Sequence, residues 1–168
     1  MQVDTSYAQK CQVFRNLGKA RFEDVAGKAG PGLEAASVSR GAASGDLDED
    51  GRIDMVVNNL DAAPYLLWNR SASRNHWLEV RLRAAPGVSD LTCVGAVVTV
   101  KSGDRAWKRE SRAGTSFASS NSPDLHFGLG SRTAVESVEV RFPDGTVVTR
   151  RDVPIDRVLR IERKSEAR

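Results

Sequence analysis

Cysteine is scarce in this sequence. Two, Cys11 and Cys93, among 168 residues are too few for a disulfide scaffold, and no partner lies at metal-ligand spacing. Histidine is equally sparse, with His76 and His126 alone, and aromatic residues make up 6%. No apolar run approaches the ~18 residues that cross a bilayer, which excludes a transmembrane helix. The opening segment Met1 to Lys10 carries no apolar stretch of the kind a signal peptide needs, so none is expected within it. Helical periodicity is missing as well. Apolar positions seldom recur at three and four; they alternate.

What is present reads as strand. Leu78, Val80 and Leu82 share one face of a strand, with Glu79, Arg81 and Arg83 on the other. Val94, Ala96, Val98 and Val100 repeat that period of two, as do Val138, Val140 and Phe142. Half-buried strands in antiparallel sheets give this pattern. Pro143-Asp144-Gly145-Thr146 predicts a tight hairpin, because Pro presets φ and Gly accepts a positive one. Leu159 and Ile161 mark a last short strand, and a frayed charged tail is expected after Arg163. Ile53, Met55, Val56 and Val57 read as a short buried strand, and Gly128-Leu129-Gly130 as a turn.

Charge divides the chain in two. Residues 1–69 hold seven basic and ten acidic side chains, and residues 70–168 hold eighteen and twelve. Such asymmetry predicts two units with different tasks. The small polar run Ser71-Ala72-Ser73-Arg74 separates them, giving units 1–70 and 71–168. A faint repeat crosses the first unit. Val13-Phe14-Arg15-Asn16 resembles Leu66-Leu67-Trp68-Asn69, and the spacing suits propeller-type repeats of about 50 residues.

The acidic excess is concentrated in Asp46-Leu47-Asp48-Glu49-Asp50-Gly51-Arg52-Ile53-Asp54. Carboxylates stand at loop positions 1, 3, 5 and 9, with Gly at 6. Two unit charges ~4 Å apart repel by about 4 kcal/mol at an effective dielectric of ~20, so a convergent set calls for a cation. Ca²⁺ fits, since it takes 6–8 hard oxygen ligands in flexible geometry. Gly51 permits the sharp turn, the Arg52 carbonyl supplies a further oxygen, and Glu49 points outward. This is not an EF-hand, because position 12 is Val57 and a strand follows. A solvated acidic turn is the alternative.

Arg40-Gly41-Ala42-Ala43-Ser44-Gly45, the acidic loop and Met55-Val56-Val57-Asn58-Asn59 together resemble the FG-GAP/VCBS repeat, a calcium-loop blade of integrin-α-type propellers. Phe14-Arg15-Asn16-Leu17-Gly18, Phe22-Glu23-Asp24-Val25 and Ala29-Gly30 are similar to the join between two such blades. The resemblance implies Ca²⁺ held by Asp46, Asp48, Asp50, the Arg52 carbonyl and Asp54. The second unit resembles the ASPIC/UnbV domain through Asn75-His76-Trp77-Leu78-Glu79-Val80, Val94-Gly95-Ala96-Val97-Val98-Thr99-Val100, Leu125-His126-Phe127-Gly128-Leu129-Gly130 and Val138-Glu139-Val140-Arg141-Phe142-Pro143-Asp144-Gly145. Together these imply an all-β chain: a partial β-propeller blade with a calcium loop, then an antiparallel, sandwich-like β domain. They also imply an extracellular or periplasmic setting. A closed propeller takes about 4–8 blades, so the chain is expected to be a piece of something larger, or a truncated frame, able to associate through an open sheet edge.

No reaction is implied. Asp124, His126 and Ser119 or Ser120 could be strung into a triad, but triads are recognised by geometry, no Gly-x-Ser-x-Gly elbow is present, and His126 reads as structural. Gly128-Leu129-Gly130-Ser131 lacks the phosphate-loop Lys. Asn69-Arg70-Ser71 matches a glycosylation acceptor, yet Asn69 belongs to the repeat and reads as structural. The expected function is a non-enzymatic, calcium-binding adhesion module for a protein or glycan partner, with no membrane insertion. The alternative is a polyanion binder using Arg81, Arg83, Arg105, Arg109, Arg112, Arg141, Arg150 and Arg151. Against nucleic acid stand the interleaved Glu79, Glu110 and Glu139 and the few aromatics available for stacking.

Overall fold

The structure, a computed structural model, describes residues 7–84 and 93–163. In the first unit the strands are β1 (Gln9–Lys10), β2 (Phe14–Gly18), β3 (Arg21–Asp24), β4 (Ala36–Ser37), β5 (Ser39–Gly45), β6 (Asp54–Asn59) and β7 (Tyr65–Leu67). In the second they are β8 (His76–Ala84), β9 (Val97–Ser102), β10 (Arg105–Glu110), β11 (Leu125–Gly130), β12 (Val135–Arg141), β13 (Val147–Val153) and β14 (Arg157–Arg163). Two single-turn 3₁₀ segments, Ala26–Lys28 and Pro31–Leu33, are the helical elements among the described residues. The chain is all-β, and among the described residues no sheet closes into a barrel or propeller.

The core sits in the second unit. A four-stranded sheet, β10-β9-β12-β13, faces a three-stranded sheet, β11-β8-β14. Between them lie Leu78, Val80 and Leu82, Val98 and Val100, Phe127 and Leu129, Val138 and Val140, and Ile161, all buried. The alternation read from the sequence selects Leu78, Val80, Leu82, Val98, Val100, Val138 and Val140, because a strand's period of two sends every second residue inward; Phe127 and Leu129 join them from a segment that it did not mark. The hairpin at Pro143–Thr146 forms as expected. Phe142 N–H donates to Thr146 O at 2.9 Å, Gly145 N–H donates to Phe142 O at 3.0 Å, and Gly145 has φ +87°.

Four expectations need correction. The sandwich is not wholly antiparallel, because β14 runs parallel to β8, with Leu159 opposite Val80 and Ile161 opposite Leu82. Hairpin loops force antiparallel order only between consecutive strands of one sheet. Here the chain leaves β13 in one sheet and enters β14 in the other. Val94 does not lead the alternation of β9. Gly95, at φ +86°, closes a turn in which Ala96 N–H donates to Cys93 O at 3.0 Å. That breaks the period, so Cys93 is buried and Val94 faces out.

Gly128–Gly130 is strand rather than turn. It belongs to β11, whose pairing with β8 slips between Gly128 and Gly130 while Phe127 and Leu129 stay anchored in the core. Finally, Ile53–Val57 is not a buried strand. Val57 is buried, but Ile53, Met55 and Val56 are exposed; Met55 and Val56 are neighbours in a strand and point to opposite faces, so neither face of the sheet β5-β6-β7 is fully covered there. The tail after Arg163 lies outside the described residues. Cys11 and Cys93 form no disulfide.

The first unit is therefore thin. Among its described residues Val57 is the buried hydrophobic side chain, while Phe14, Leu17, Phe22, Leu66 and Trp68 are exposed. The faint repeat has a structural echo. Asn16 Oδ1 accepts the Gly18 N–H at 2.7 Å, and Asn69 Oδ1 accepts the Ser71 N–H at 3.1 Å. Both are side-chain turns closing two residues on.

Candidate metal centre

The acidic loop joins β5 to β6. Its shape is fixed by its own carboxylates. Asp46 accepts the Asp50 N–H at 3.0 Å on Oδ1 and the Gly51 N–H at 2.8 Å on Oδ2. Asp50 Oδ1 accepts the Arg52 N–H at 2.9 Å. Short acidic side chains compete well for nearby amides, which is why this composition folds as a loop rather than extending β5.

The structure brings Asp46, Asp48 and Asp50 together, with one oxygen of each within 4.8 Å of the others. Asp54 is not in that cluster. It is buried at the base of the loop, where Oδ2 accepts the Leu47 N–H at 3.1 Å and Oδ1 accepts the Asn69 N–H at 2.8 Å. Arg52 turns its guanidinium onto Asp50 and donates from Nε to Asn69 O at 2.7 Å. Arg70 approaches from the interdomain linker, 3.4 Å from Asp48 Oδ2 and 3.8 Å from Asp50 Oδ2. Burial, with the charge of Asp50 behind it, holds the Asp46 carboxyl above its ordinary range, although bonds from the Gly51 and Asp50 amides pull the other way. The clustered donors are of the kind that suits Ca²⁺: hard carboxylate oxygens, with neither nitrogen nor sulfur among them.

Residues distant in sequence surround this loop. Alternation alone would leave the polar face of β8 to solvent. Instead the loop lies on it. Trp77 and His126 stack with centroids 5.9 Å apart and planes within 8°. A Cβ on Gly51 would collide with the Trp77 indole, so Gly is required here by its neighbour as well as by its φ of +87°. His126 Nε2 bonds to Gly51 O at 2.9 Å. Burial pulls His126 below its usual range, partly offset by that bond.

Glu49 does point out of the loop, and it meets Arg81 at 2.9 Å. Arg81 also pairs with Asp124 at 2.7 Å and with Glu79 at 3.1 Å. Burial first, and then repulsion from Asp124, pushes Glu79 up to about 6. Arg81 is thus enclosed by three carboxylates and withdrawn from any polyanion-binding face. The triad set aside on sequence grounds is not assembled, since Asp124 serves Arg81, His126 serves Gly51, Ser119 Oγ donates to Ala42 O at 2.8 Å and Ser120 Oγ to Asn121 O at 3.4 Å.

A second seam covers the β5 edge of the first unit's sheet. Ser122 N–H donates to Ser44 O and Ser44 N–H donates to Asn121 Oδ1, both at 2.9 Å. A Cβ on Gly41 would come 2.8 Å from Phe117 O. One sheet edge expected to be open is therefore closed by residues 117–122 of the same chain. No local motif announced Trp77, Arg81 or His126 as neighbours of the loop; His126 and Gly51 are 75 positions apart.

Residues 88–168 match the model of the ASPIC and UnbV family. Cartilage acidic protein 1 of Mus musculus is 30% identical over 144 residues, 83% of this chain and 22% of that protein. The Homo sapiens protein of that name is 30% identical over 144 residues, 83% of this chain and 21% of its own length. The Xenopus tropicalis protein is 33% identical over 113 residues, 66% of this chain and 17% of its own. The chain thus spans about a fifth of the length of the curated relatives it matches. No helix among the described residues is long and apolar enough to cross a membrane.

Proposed function

We propose, for a chain whose second unit carries an ASPIC and UnbV domain, that it is a non-enzymatic, calcium-binding interaction module of an extracellular or periplasmic protein. The first unit is then a partial FG-GAP/VCBS blade whose loop holds Ca²⁺ through Asp46, Asp48, Asp50 and the Arg52 carbonyl, with Asp54 at its base. The observation that carries this reading is the convergence of three carboxylates in a loop fixed by its own backbone bonds. The absence of an assembled nucleophile–base pair among Asp124, His126 and Ser119 favours a binding role. A protein or glycan is the partner class that the setting suggests.

Calcium binds only the folded loop in this account. It stabilises by RT ln(1 + [L]/Kd), about 2.7 kcal/mol at 100 times Kd. The melting midpoint should rise on adding Ca²⁺ and fall on chelation, and Asp50→Ala should remove the difference. An unchanged midpoint together with no Ca²⁺ uptake by calorimetry would overturn the reading.

A further inference from the structure

The acidic loop does not stand alone. Two of its positions are spent on the second unit: Glu49 on Arg81, and Gly51 on Trp77 and His126. Neither is one of the clustered carboxylates, yet each lies one residue from one: Glu49 between Asp48 and Asp50, Gly51 directly after Asp50. Any shift of Gly51 away from the Trp77–His126 stack moves the amide that Asp46 Oδ2 accepts at 2.8 Å. The spread of the three carboxylates is therefore mechanically tied to a sheet of the other unit.

We propose that Trp77, Arg81 and His126 are positioning residues for the calcium loop, so that docking of the second unit sets the loop's Ca²⁺ affinity and Ca²⁺ in turn tightens the seam between the units. This rests on the calcium reading above. The physical basis is linkage. If docking holds the carboxylates in the spread that an ion needs, Ca²⁺ and docking favour each other by one and the same factor. Arg81 is a rigid anchor because it is itself held by Asp124 and Glu79. The Trp77 indole lies so close to the Gly51 backbone that it leaves no space for even a Cβ there.

The seam has reporters of its own at the end of β5, outside the acidic loop itself. The Ser122 amide hydrogen is held by Ser44 O, and the Ser44 amide by Asn121 Oδ1. Each of these bonds joins one unit to the other, so their exchange with solvent reports separation of the units.

The experiment uses the full chain, with Ca²⁺ titrated by calorimetry and amide exchange followed with and without the ion. His126→Ala removes the bond to Gly51 O and the stack on Trp77 without changing any clustered carboxylate. It should weaken Ca²⁺ binding about five- to tenfold, and Ca²⁺ should cease to slow exchange at Ser44 and Ser122. His126→Gln, whose amide can still donate to Gly51 O, should restore affinity to within about twofold of the parent, which a merely destabilising change would not do. Exchange of core amides in β9 and β12 checks that the fold is kept. If the parent binds Ca²⁺ and His126→Ala binds it equally well, the coupling is overturned while the calcium reading stands. If the parent takes up no Ca²⁺, the calcium reading fails and this inference falls with it.

Discussion

At the scale of single residues, burial of charge decides most of what is unusual here. Glu79 sits on the β8 face that its alternation assigns to solvent, yet it is 2% exposed. Its raised titration, to about 6 against an ordinary 4.5, has a definite sign for stability. Between those values the folded chain holds a proton that the unfolded chain has released. The contribution is full below about pH 4.5 and is lost as pH rises through 6. It amounts to about 2 kcal/mol at roughly 1.4 kcal/mol per pH unit. His126, pulled below its usual range, acts with the opposite sign, so the comparison must cancel it. In denaturant titrations with a chelator present, the parent should lose about 2 kcal/mol relative to Glu79→Gln between pH 4.5 and 7.5. An equal gap at both pH values would contradict the assignment.

At the scale of elements, the loop and the hairpin illustrate two kinds of legibility. The hairpin after β12 is written locally, because Pro143 and Gly145 set its turn and the bonds from Phe142 and Gly145 close it. The acidic loop is written locally in its own bonds, but its seat is not. Gly51 and Gly145 make the distinction measurable, because both have φ +87°. An added Cβ meets nothing within 4 Å at Gly145 and runs into Trp77 at Gly51. Gly145→Ala should cost about 1–2 kcal/mol, the conformational penalty alone. Gly51→Ala should cost roughly 2–5 kcal/mol, since overpacking adds about 1–3 kcal/mol to that penalty. Equal shifts of the denaturation midpoint would show that the Trp77 contact carries no energy. The differing elements, Val94 and Gly128–Gly130, have separate causes. A turn at Gly95 resets the two-residue period ahead of β9, whereas β11 keeps its period through both glycines, with Phe127 and Leu129 inward, and only its pairing with β8 slips.

At the scale of the whole molecule, stability and surface are divided between the units. The core belongs to the second unit, and the first contributes Val57 to the buried hydrophobic set. Phe127→Ala, at a fully buried position, should cost about 3–5 kcal/mol. Phe22→Ala, at a position 62% exposed, should stay within about 0.5 kcal/mol. A large loss from Phe22→Ala in thermal unfolding would mean that the first unit has a core of its own.

The sequence by itself determined the all-β class, much of the sandwich core, the hairpin at Pro143–Thr146 and the gathering of Asp46, Asp48 and Asp50, because each follows from periods and turns spanning a few residues. Only the tertiary structure decided that β14 pairs parallel with β8, that residues 117–122 close the β5 edge, and that the polar face bearing Trp77, Glu79 and Arg81 is a seat for the acidic loop rather than a solvated surface. Alternation tells which side chains share a face. What covers that face depends on contacts between residues far apart in the chain, and no local pattern encodes them.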